Sequence, residues 1–164
     1  MSRWQRGERT VLYLLDKGRL ENFESADLGA AAAALLQRAS RRLQTTAEAA
    51  LHGGDIDGAY VAAYDAYRMT AEALLARQGL RATSGEGSHA VVEDAVSAQF
   101  AEAIPSFAKP TFERFRRTRH SAQYFDPEAA PITREDASWA IERASAVLAA
   151  VKAVLNDSLL EGFA

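Results

Sequence analysis

The sequence predicts an all-α fold, an antiparallel helical bundle of about five to six helices. Alanine is the commonest apolar residue, and all four prolines fall between Pro105 and Pro131, so helix propensity is high through most of the chain. Apolar side chains recur at steps of three and four, which is the spacing of one face of an α-helix. The connections between these runs are short, and short connections make neighbouring helices antiparallel.

Three helices are predicted in the first half of the chain, where polar N-cap residues and glycine stops set the boundaries. They run from Glu8 to about Lys17, from Ser25 or Asp27 to His52, and from Asp55 or Asp57 to about Gly79. The glycine pair after His52 is a strong stop, because glycine readily adopts the left-handed backbone of a helix C-terminus. The third helix carries three tyrosines on one face, which we interpret as packing residues: Tyr60, Tyr64 and Tyr67.

Three further helices are predicted in the second half, from Ser88 to Ile104, from roughly Thr111 to Tyr124, and from Thr133 through Leu155. Pro105 and Pro110 separate the first two, since proline lacks the N–H that a helix interior needs. The segment Thr133-Arg134-Glu135-Asp136 resembles a capping box and opens the last of these helices. Ser88 is a candidate cap for the first of them. The segments 18–24 and 81–87 are predicted as loops.

Length and composition predict one domain, residues 1–164, in the reducing cytoplasm. The chain has 164 residues, a net charge of −3 and no cysteine, so disulfides and thiolate metal sites are excluded. The apolar run from Val11 to Leu15 is too short for a signal peptide or for a bilayer span. The three histidines lie far apart, without carboxylates at ligand-like spacing, so neither a metal ion nor a cofactor is expected.

The predicted helix near residues 111–124, called the basic helix, concentrates positive charge. The segment 109–119 holds five cations and one acidic residue in a chain that is acidic overall, which indicates a local anion site. Helical spacing directs Phe112 and Phe115 into the core and places Arg119 at the edge of the same face. A guanidinium group in that position needs a carboxylate or a bound anion.

Arg116, His120 and Tyr124 form a second stripe on the basic helix, at steps of four. A cation, an imidazole and a phenol are thereby placed within two turns, a combination that can bind an anion and transfer a proton. Arg114 and Arg117 add further positive charge to the same helix. The competing interpretation is a solvated face, since arginines spaced along an amphipathic helix usually extend into water.

Four segments carry a family resemblance: Ala63-Tyr64-Asp65-Ala66-Tyr67-Arg68-Met69, Gln78-Gly79-Leu80-Arg81, Gly87-Ser88-His89, and the arginine-rich helix with Tyr124 and an Asp-Pro break. From about Arg9 to Leu155 the chain is similar to HEPN domains, and most closely to actinobacterial-type members with a variant motif. The resemblance implies an all-α bundle that commonly forms a homodimer. Many HEPN proteins are metal-independent endoribonucleases, whereas others bind RNA or are noncatalytic partners of nucleotidyltransferases.

The signature of that family is an arginine, often followed by a polar residue, with a histidine several residues later. On this pattern Arg119 matches the arginine and His120 the polar residue, but Tyr124 stands where a histidine is usual. The implied reaction is attack of an RNA 2′-hydroxyl on the adjacent phosphate, helped by a base and by an arginine that stabilises the anionic phosphorus centre. A tyrosine with a pKa near ~10 is a poor base at neutral pH, whereas a histidine suits the task. A rival alignment pairs Arg114 with His120.

The resemblance leaves two functions open. The first is an RNA-directed endoribonuclease that acts as a toxin or a defence effector. Its candidate catalytic residues are Arg119, His120 and Tyr124, and its candidate RNA contacts are Arg114, Arg116 and Arg117. The second is a noncatalytic homodimer that binds a partner protein such as a nucleotidyltransferase antitoxin, with Tyr124 as a position for nucleotide modification. A homodimer that joins two basic helices needs carboxylates or an anion to offset their repulsion.

Three residues outside the basic helix are secondary candidates. His89 starts a helix after a glycine-containing loop, and His52 is expected at a helix C-terminus, where positive charge is favourable. Asp65 lies on the helix that carries the tyrosines. We expect Asp65 to be a carboxylate partner for Arg119 across the bundle.

Overall fold

The computed structural model describes residues 4–157 and 160–163, and these ranges are mostly helical. Within them the chain forms seven α-helices and one two-stranded ribbon: α1 Glu8–Asp16, β1 Leu20–Asn22, α2 Leu28–Arg41, α3 Glu48–Gly53, α4 Ile56–Arg77, β2 Leu80–Ala82, α5 Ser88–Phe100, α6 Lys109–Gln123 and α7 Arg134–Asn156. A π-helical segment, Arg42–Ala47, joins α2 to α3, and a 3₁₀ turn, Pro105–Phe107, precedes α6. The all-α prediction is confirmed.

Local sequence sets most of the helix ends. The Asp27 carboxylate accepts a hydrogen bond from the backbone N–H three residues later at 2.9 Å, and Asp55 caps α4 in the same way at 2.9 Å. The sequence offers two candidate caps for each of these helices, and the structure uses Asp27 and Asp55. Thr133 and Asp136 form the predicted capping box. Gly54 ends α3 with a φ of 88°, the left-handed conformation expected of a glycine stop.

The bounds of α5 and α6 differ from the prediction. Gly87 occupies the N-cap position of α5 with a φ of 82°, so Ser88 is the first helical residue and its side chain is not the cap. The same helix ends at Phe100, earlier than predicted. α6 begins at Lys109, slightly before the predicted start, because Pro110 fits a first helical turn in which no N–H is needed.

The ribbon was not predicted. β1 and β2 pair antiparallel, with Leu20 opposite Ala82 and Asn22 opposite Leu80. Leu20 and Leu80 are both 1% exposed, so each strand contributes a side chain to the core. Gly79, with a φ of 74°, turns the chain from α4 into β2. Strands of three residues are too short to show the alternating pattern that identifies a strand in a sequence.

α4 is the central helix of the bundle. It packs against α2, α5, α6 and α7, and its buried residues lie on all sides, as in a helix that others enclose. Many of these residues are alanines, whose small side chains let neighbouring helices approach closely. One cluster of buried side chains extends from Val11 to Phe163. None of the described helices, including α4 with its 22 residues, is long and apolar enough to span a membrane.

The tyrosine face of α4 positions α6. Phe115 is fully buried, and its ring centroid lies 4.3 Å from that of Tyr67 and 4.8 Å from that of Trp139 on α7. The Phe112 ring meets Tyr67 edge-on at 4.9 Å. The predicted inward face of the basic helix is therefore confirmed. Each such ring pair stabilises the fold by about 0.5–1.5 kcal/mol beyond the burial of the rings. These contacts therefore favour one orientation of α6 about its own axis.

Phe115→Ala should lower the free energy of unfolding by about 3–5 kcal/mol, because it removes a fully buried ring and leaves a cavity. Arg117→Ala is the control on the same helix. Arg117 is exposed and pairs with Glu113 at 3.0 Å, so its removal should cost less than about 1 kcal/mol. Chemical denaturation followed by circular dichroism measures both changes. Equal stability of wild type and Phe115→Ala would show that α6 faces the other way.

Candidate functional site

Most cations of α6 are paired with carboxylates of the same helix or of a neighbouring helix. The pairs and their N–O distances are Lys109–Asp94 (2.8 Å), Arg116–Glu93 (2.8 Å), Arg117–Glu113 (3.0 Å) and Arg114–Asp136 (3.6 Å). Arg114 also lies over the Trp139 ring, with its guanidinium carbon 3.8 Å from the ring centroid. The positive charge that the sequence concentrates is therefore largely balanced in space.

Arg119 differs from the other cations of α6. It forms no ion pair within the part of the chain that the structure describes, and its buried Nε atom has no hydrogen-bond partner there. Its guanidinium carbon lies 5.2 Å from the ring centroid of Tyr64, a cation–π contact with α4. A buried donor without an acceptor costs about 1–3 kcal/mol, so an acceptor brought by a ligand is favourable at this position.

The prediction that Asp65 pairs with Arg119 was wrong. No ion pair joins Arg119 to Asp65, although the structure describes both residues. Tyr64 and Asp65 are successive residues of α4, and successive side chains point roughly 100° apart around a helix. The Asp65 side chain therefore leaves α4 in a different direction from the Tyr64 ring, but its carboxylate stays near enough to His89 to oppose the lowering of the imidazole pKa.

His120 and Tyr124, called here the outer pair, lie together at the C-terminal end of α6. Their ring centroids are 4.8 Å apart, and the Tyr124 N–H donates to the His120 carbonyl at 3.0 Å. Both side chains are exposed, that of Tyr124 to 57%. Arg119 points to Tyr64 on another face of α6, and Arg114, the arginine of the rival alignment, is held by Trp139.

A different histidine, His89, lies beside the tyrosine that Arg119 contacts. The Tyr64 hydroxyl and the His89 Nδ1 atom form a hydrogen bond of 2.6 Å, and the two rings are parallel to within 2°. His89 is in the first turn of α5 and is half-buried. The sequence gives no signal for this contact, because 25 positions separate the two residues and no helical periodicity links them.

Burial and neighbouring charges set the protonation of this pair. Burial lowers the pKa of His89, the charges of Arg68 and Arg119 lower it further, and the Asp65 carboxylate opposes them in part. Burial also raises the pKa of the Tyr64 phenol. Near neutral pH the phenol and the imidazole are therefore both uncharged, which fits a hydrogen bond donated by the Tyr64 hydroxyl to Nδ1.

Arg68 completes this group, which we call the inner cluster: Tyr64, Arg68, His89 and Arg119. Arg68 lies one turn after Tyr64 on α4 and donates to Glu72 at 3.2 Å. Burial raises the pKa of Glu72, and the positive charge of Arg68 counteracts this effect. The Nε atom of Arg68 is buried and has no hydrogen-bond partner among the described residues, like that of Arg119.

A cleft of about 810 Å³ opens where α6 ends. The first turn of α4 and the segment after α6 line it, and three carboxylates belong to this lining: Asp55, Asp57 and Asp126. Tyr124 and Phe125, which is 94% exposed, add aromatic surface. Carboxylates repel phosphate groups, so the cleft suits a protein segment better than RNA.

The fold and the site define an all-α bundle in which an arginine-rich helix packs on a tyrosine-rich central helix. The family model of the HEPN domain matches residues 32–154, from α2 into α7. The chain therefore belongs to the HEPN domain family, as the resemblance implied. No curated protein and no solved structure gives a significant match. The assignment to actinobacterial-type members stays a prediction.

Arg116→Ala should destabilise the fold by about 1–3 kcal/mol at neutral pH, since it leaves the Glu93 carboxylate, 8% exposed, without its cation. Burial already raises the pKa of Glu93, so the folded protein binds this proton more tightly than the unfolded chain does. Protonation removes the uncompensated charge, and stability should therefore recover in part as the pH falls from neutral toward the raised pKa of Glu93. Denaturant unfolding of both proteins at several pH values measures the difference.

Arg117→Ala is the matched control for this pH series. It removes the same charge from an exposed ion pair of the same helix, so its small effect should not vary with pH in this way. A loss of stability in Arg116→Ala that stays constant from neutral pH to about pH 5 would contradict a role for the Glu93 charge.

Proposed function

We propose that this HEPN protein is RNA-directed and that Arg119 contacts a phosphate group of the RNA. The observation that supports this proposal most is the buried Nε of Arg119, which lacks a partner while the other described cations of α6 are paired with carboxylates. A guanidinium group keeps its charge at all physiological pH values, and its fork of N–H donors matches phosphate oxygens. An RNA phosphate would supply the acceptor that Arg119 lacks.

The proposed activity is that of a metal-independent endoribonuclease. The RNA 2′-oxygen attacks the adjacent phosphorus, the 5′-oxygen leaves, and a 2′,3′-cyclic phosphate remains. Arg119 stabilises the charge that develops on the phosphate oxygens. In the outer pair, the imidazole of His120 transfers the proton, since imidazoles exchange protons near neutral pH, and the Tyr124 hydroxyl donates a hydrogen bond to phosphate.

The other arginines of α6 are proposed contacts for the rest of the RNA backbone. Their side chains are 49%, 47% and 75% exposed, in the order Arg114, Arg116 and Arg117. The exposed ion pairs of Arg114 and Arg117 contribute only about 0–1 kcal/mol, so a phosphate can replace their carboxylate partners at little cost, whereas Arg116 would contact phosphate while it stays paired with the buried Glu93. Binding of this kind weakens as the salt concentration rises. The role that we propose for such a ribonuclease, as a toxin or a defence effector, rests on the family resemblance.

Incubation with a labelled RNA pool in EDTA tests the ribonuclease. We expect cleavage that leaves 2′,3′-cyclic phosphate ends, and we expect its loss in Arg119→Ala. Arg119→Lys should weaken RNA binding, because lysine keeps the charge but lacks the planar fork of donors. His120→Ala should reduce the cleavage rate by roughly 100-fold or more, a larger effect than that of Tyr124→Phe, with binding largely retained.

Arg6→Gln is the control for these substitutions. It removes one charge from an exposed ion pair with Glu102, outside the basic helix, and should cleave like the wild type. An inactive Tyr124→Phe beside a normal His120→Ala would show that Tyr124 has taken the histidine's role. If no substitution in α6 alters RNA binding or cleavage, the helix is a solvated face and the ribonuclease proposal is wrong.

A second candidate function is that of a noncatalytic homodimer that binds a partner protein, such as a nucleotidyltransferase antitoxin. The cleft at the end of α6 favours it, because Phe125 is almost fully exposed there beside the carboxylates of Asp57 and Asp126. The Tyr124 side chain is 57% exposed and is accessible to a nucleotide-modifying partner. The RNA assay separates the two functions, since a wild-type protein that leaves the RNA pool intact favours this one.

We expect a homodimer in either function, with the two α6 helices facing each other. Repulsion between basic helices opposes this arrangement, but the carboxylates paired with α6 reduce its net charge. RNA or phosphate bound at Arg119 would reduce it further. Light scattering at micromolar protein concentration, with and without phosphate, measures the mass in solution. A monomer under both conditions would contradict the expectation.

A further inference from the structure

The inner cluster has two hydrogen-bond donors that no described protein group accepts. Arg68 on α4 and Arg119 on α6 each have a buried Nε without a partner. Both arginines also act electrostatically on the same two groups, the Tyr64 phenol and the His89 imidazole. The two unpaired donors therefore lie close to a single polar feature, the hydrogen bond between Tyr64 and His89.

We propose that Arg68, His89 and Arg119 together bind one phosphate group, at a site enclosed by α4, α5 and α6. Neither Arg68 nor His89 lies on the helix that carries the family motif. The inference rests on the proposed function for the source of its ligand, a phosphodiester of RNA. It adds two binding residues on two further helices to the single contact proposed for Arg119.

Each of the three residues supplies a donor from a different helix. When the Tyr64 hydroxyl donates to the His89 Nδ1 atom, the neutral imidazole carries its proton on Nε2 and offers that N–H to a ligand. Arg68 and Arg119 offer their Nε–H groups. Donors held by packed helices need little reorganisation when an anion binds. All three residues are partly exposed, so a ligand can approach them from solvent, while the two Nε atoms themselves lie below the surface.

The charges around the site favour an anion of low charge. The ionisable groups nearest to it are Asp65, Arg68 and Glu72 on α4, Glu93 on α5, and Arg116 and Arg119 on α6. Glu72 and Glu93 are each paired with an arginine. At His89 the charges of Arg68 and Arg119 each outweigh that of Asp65, so the potential at the imidazole is positive. The single charge of a phosphodiester offsets this potential.

Binding at this site should be linked to proton uptake. A bound anion offsets the cations that lower the pKa of His89, so this pKa should rise. By linkage, the ligand should bind more tightly as the pH falls through the range between the free and bound pKa values of His89. An anion bound only at the outer face of α6 would act on His120 instead.

Proton NMR of the imidazole C–H signals of the full chain tests the inference, with a thymidine dinucleotide as the probe. The phosphodiester of this probe keeps one charge near neutral pH, and the probe resists cleavage because it lacks a 2′-hydroxyl. His52→Gln, His89→Gln and His120→Gln assign the three histidine signals. We expect saturating probe to raise the pKa of His89 and to shift the His89 signals more than those of His120.

Arg68→Gln and Arg119→Gln should each weaken probe binding by about tenfold or more, the effect of losing one charged hydrogen bond. Both should also abolish the response of His89 to the probe. Arg6→Gln removes one charge from an exposed pair with Glu102 and should bind like the wild type. The dispersion of the same NMR spectra shows that each variant is folded.

Two results would overturn the site: a response of His120 without one of His89, or normal probe binding in Arg68→Gln. Neither result bears on the ribonuclease, which the loss of RNA cleavage in Arg119→Ala tests separately. The converse outcome also separates the two proposals. A His89 response to the probe, together with an RNA pool that stays intact, would support the phosphate site and reject the ribonuclease.

Discussion

The packing of α6 on the tyrosine face of α4 is the constraint on which the candidate site depends. Phe115 lies among the rings of Tyr64, Tyr67 and Trp139, at centroid distances of 6.0, 4.3 and 4.8 Å. Close packing of such rigid rings leaves α6 few rotations about its axis. Arg119 follows Phe115 by four residues and so lies on the same side of the helix one turn later, against Tyr64. Core packing thereby sets the position of the Arg119 guanidinium group.

The same rotation determines where the charges of α6 find partners. Arg116 faces α5 and meets Glu93, whereas Arg114 faces α7 and lies over Trp139. A run of cations in the sequence becomes a set of ion pairs in three dimensions. Within the described part of α6, the cation turned toward the tyrosines is the one that has no carboxylate. A basic segment is therefore a poor guide to a basic surface until the neighbouring helices are known.

Features that depend on residues close together in the sequence could be predicted, as the Thr133 capping box and the inward orientation of Phe115 show. The edge position of Arg119 followed from the same helical periodicity. The hydrogen bond between Tyr64 and His89 could not be predicted, because it depends on how two helices are placed against each other. The predicted pairing of Asp65 with Arg119 was wrong for the same reason. A sequence assigns a residue to a helix, but it does not show which neighbouring helix that residue faces.

The outer pair and the inner cluster lie on two different faces of α6. Tyr124 lies beside His120 on the outer face, while the imidazole of His89 lies beside Tyr64 and near Arg119 on the inner face. Each face therefore carries one imidazole, that of His120 on the outer face and that of His89 close to the proposed phosphate contact. Tyr124 is exposed beside an acidic, aromatic cleft that suits a protein. A partner bound there would cover Tyr124 of the outer pair and leave the inner cluster accessible.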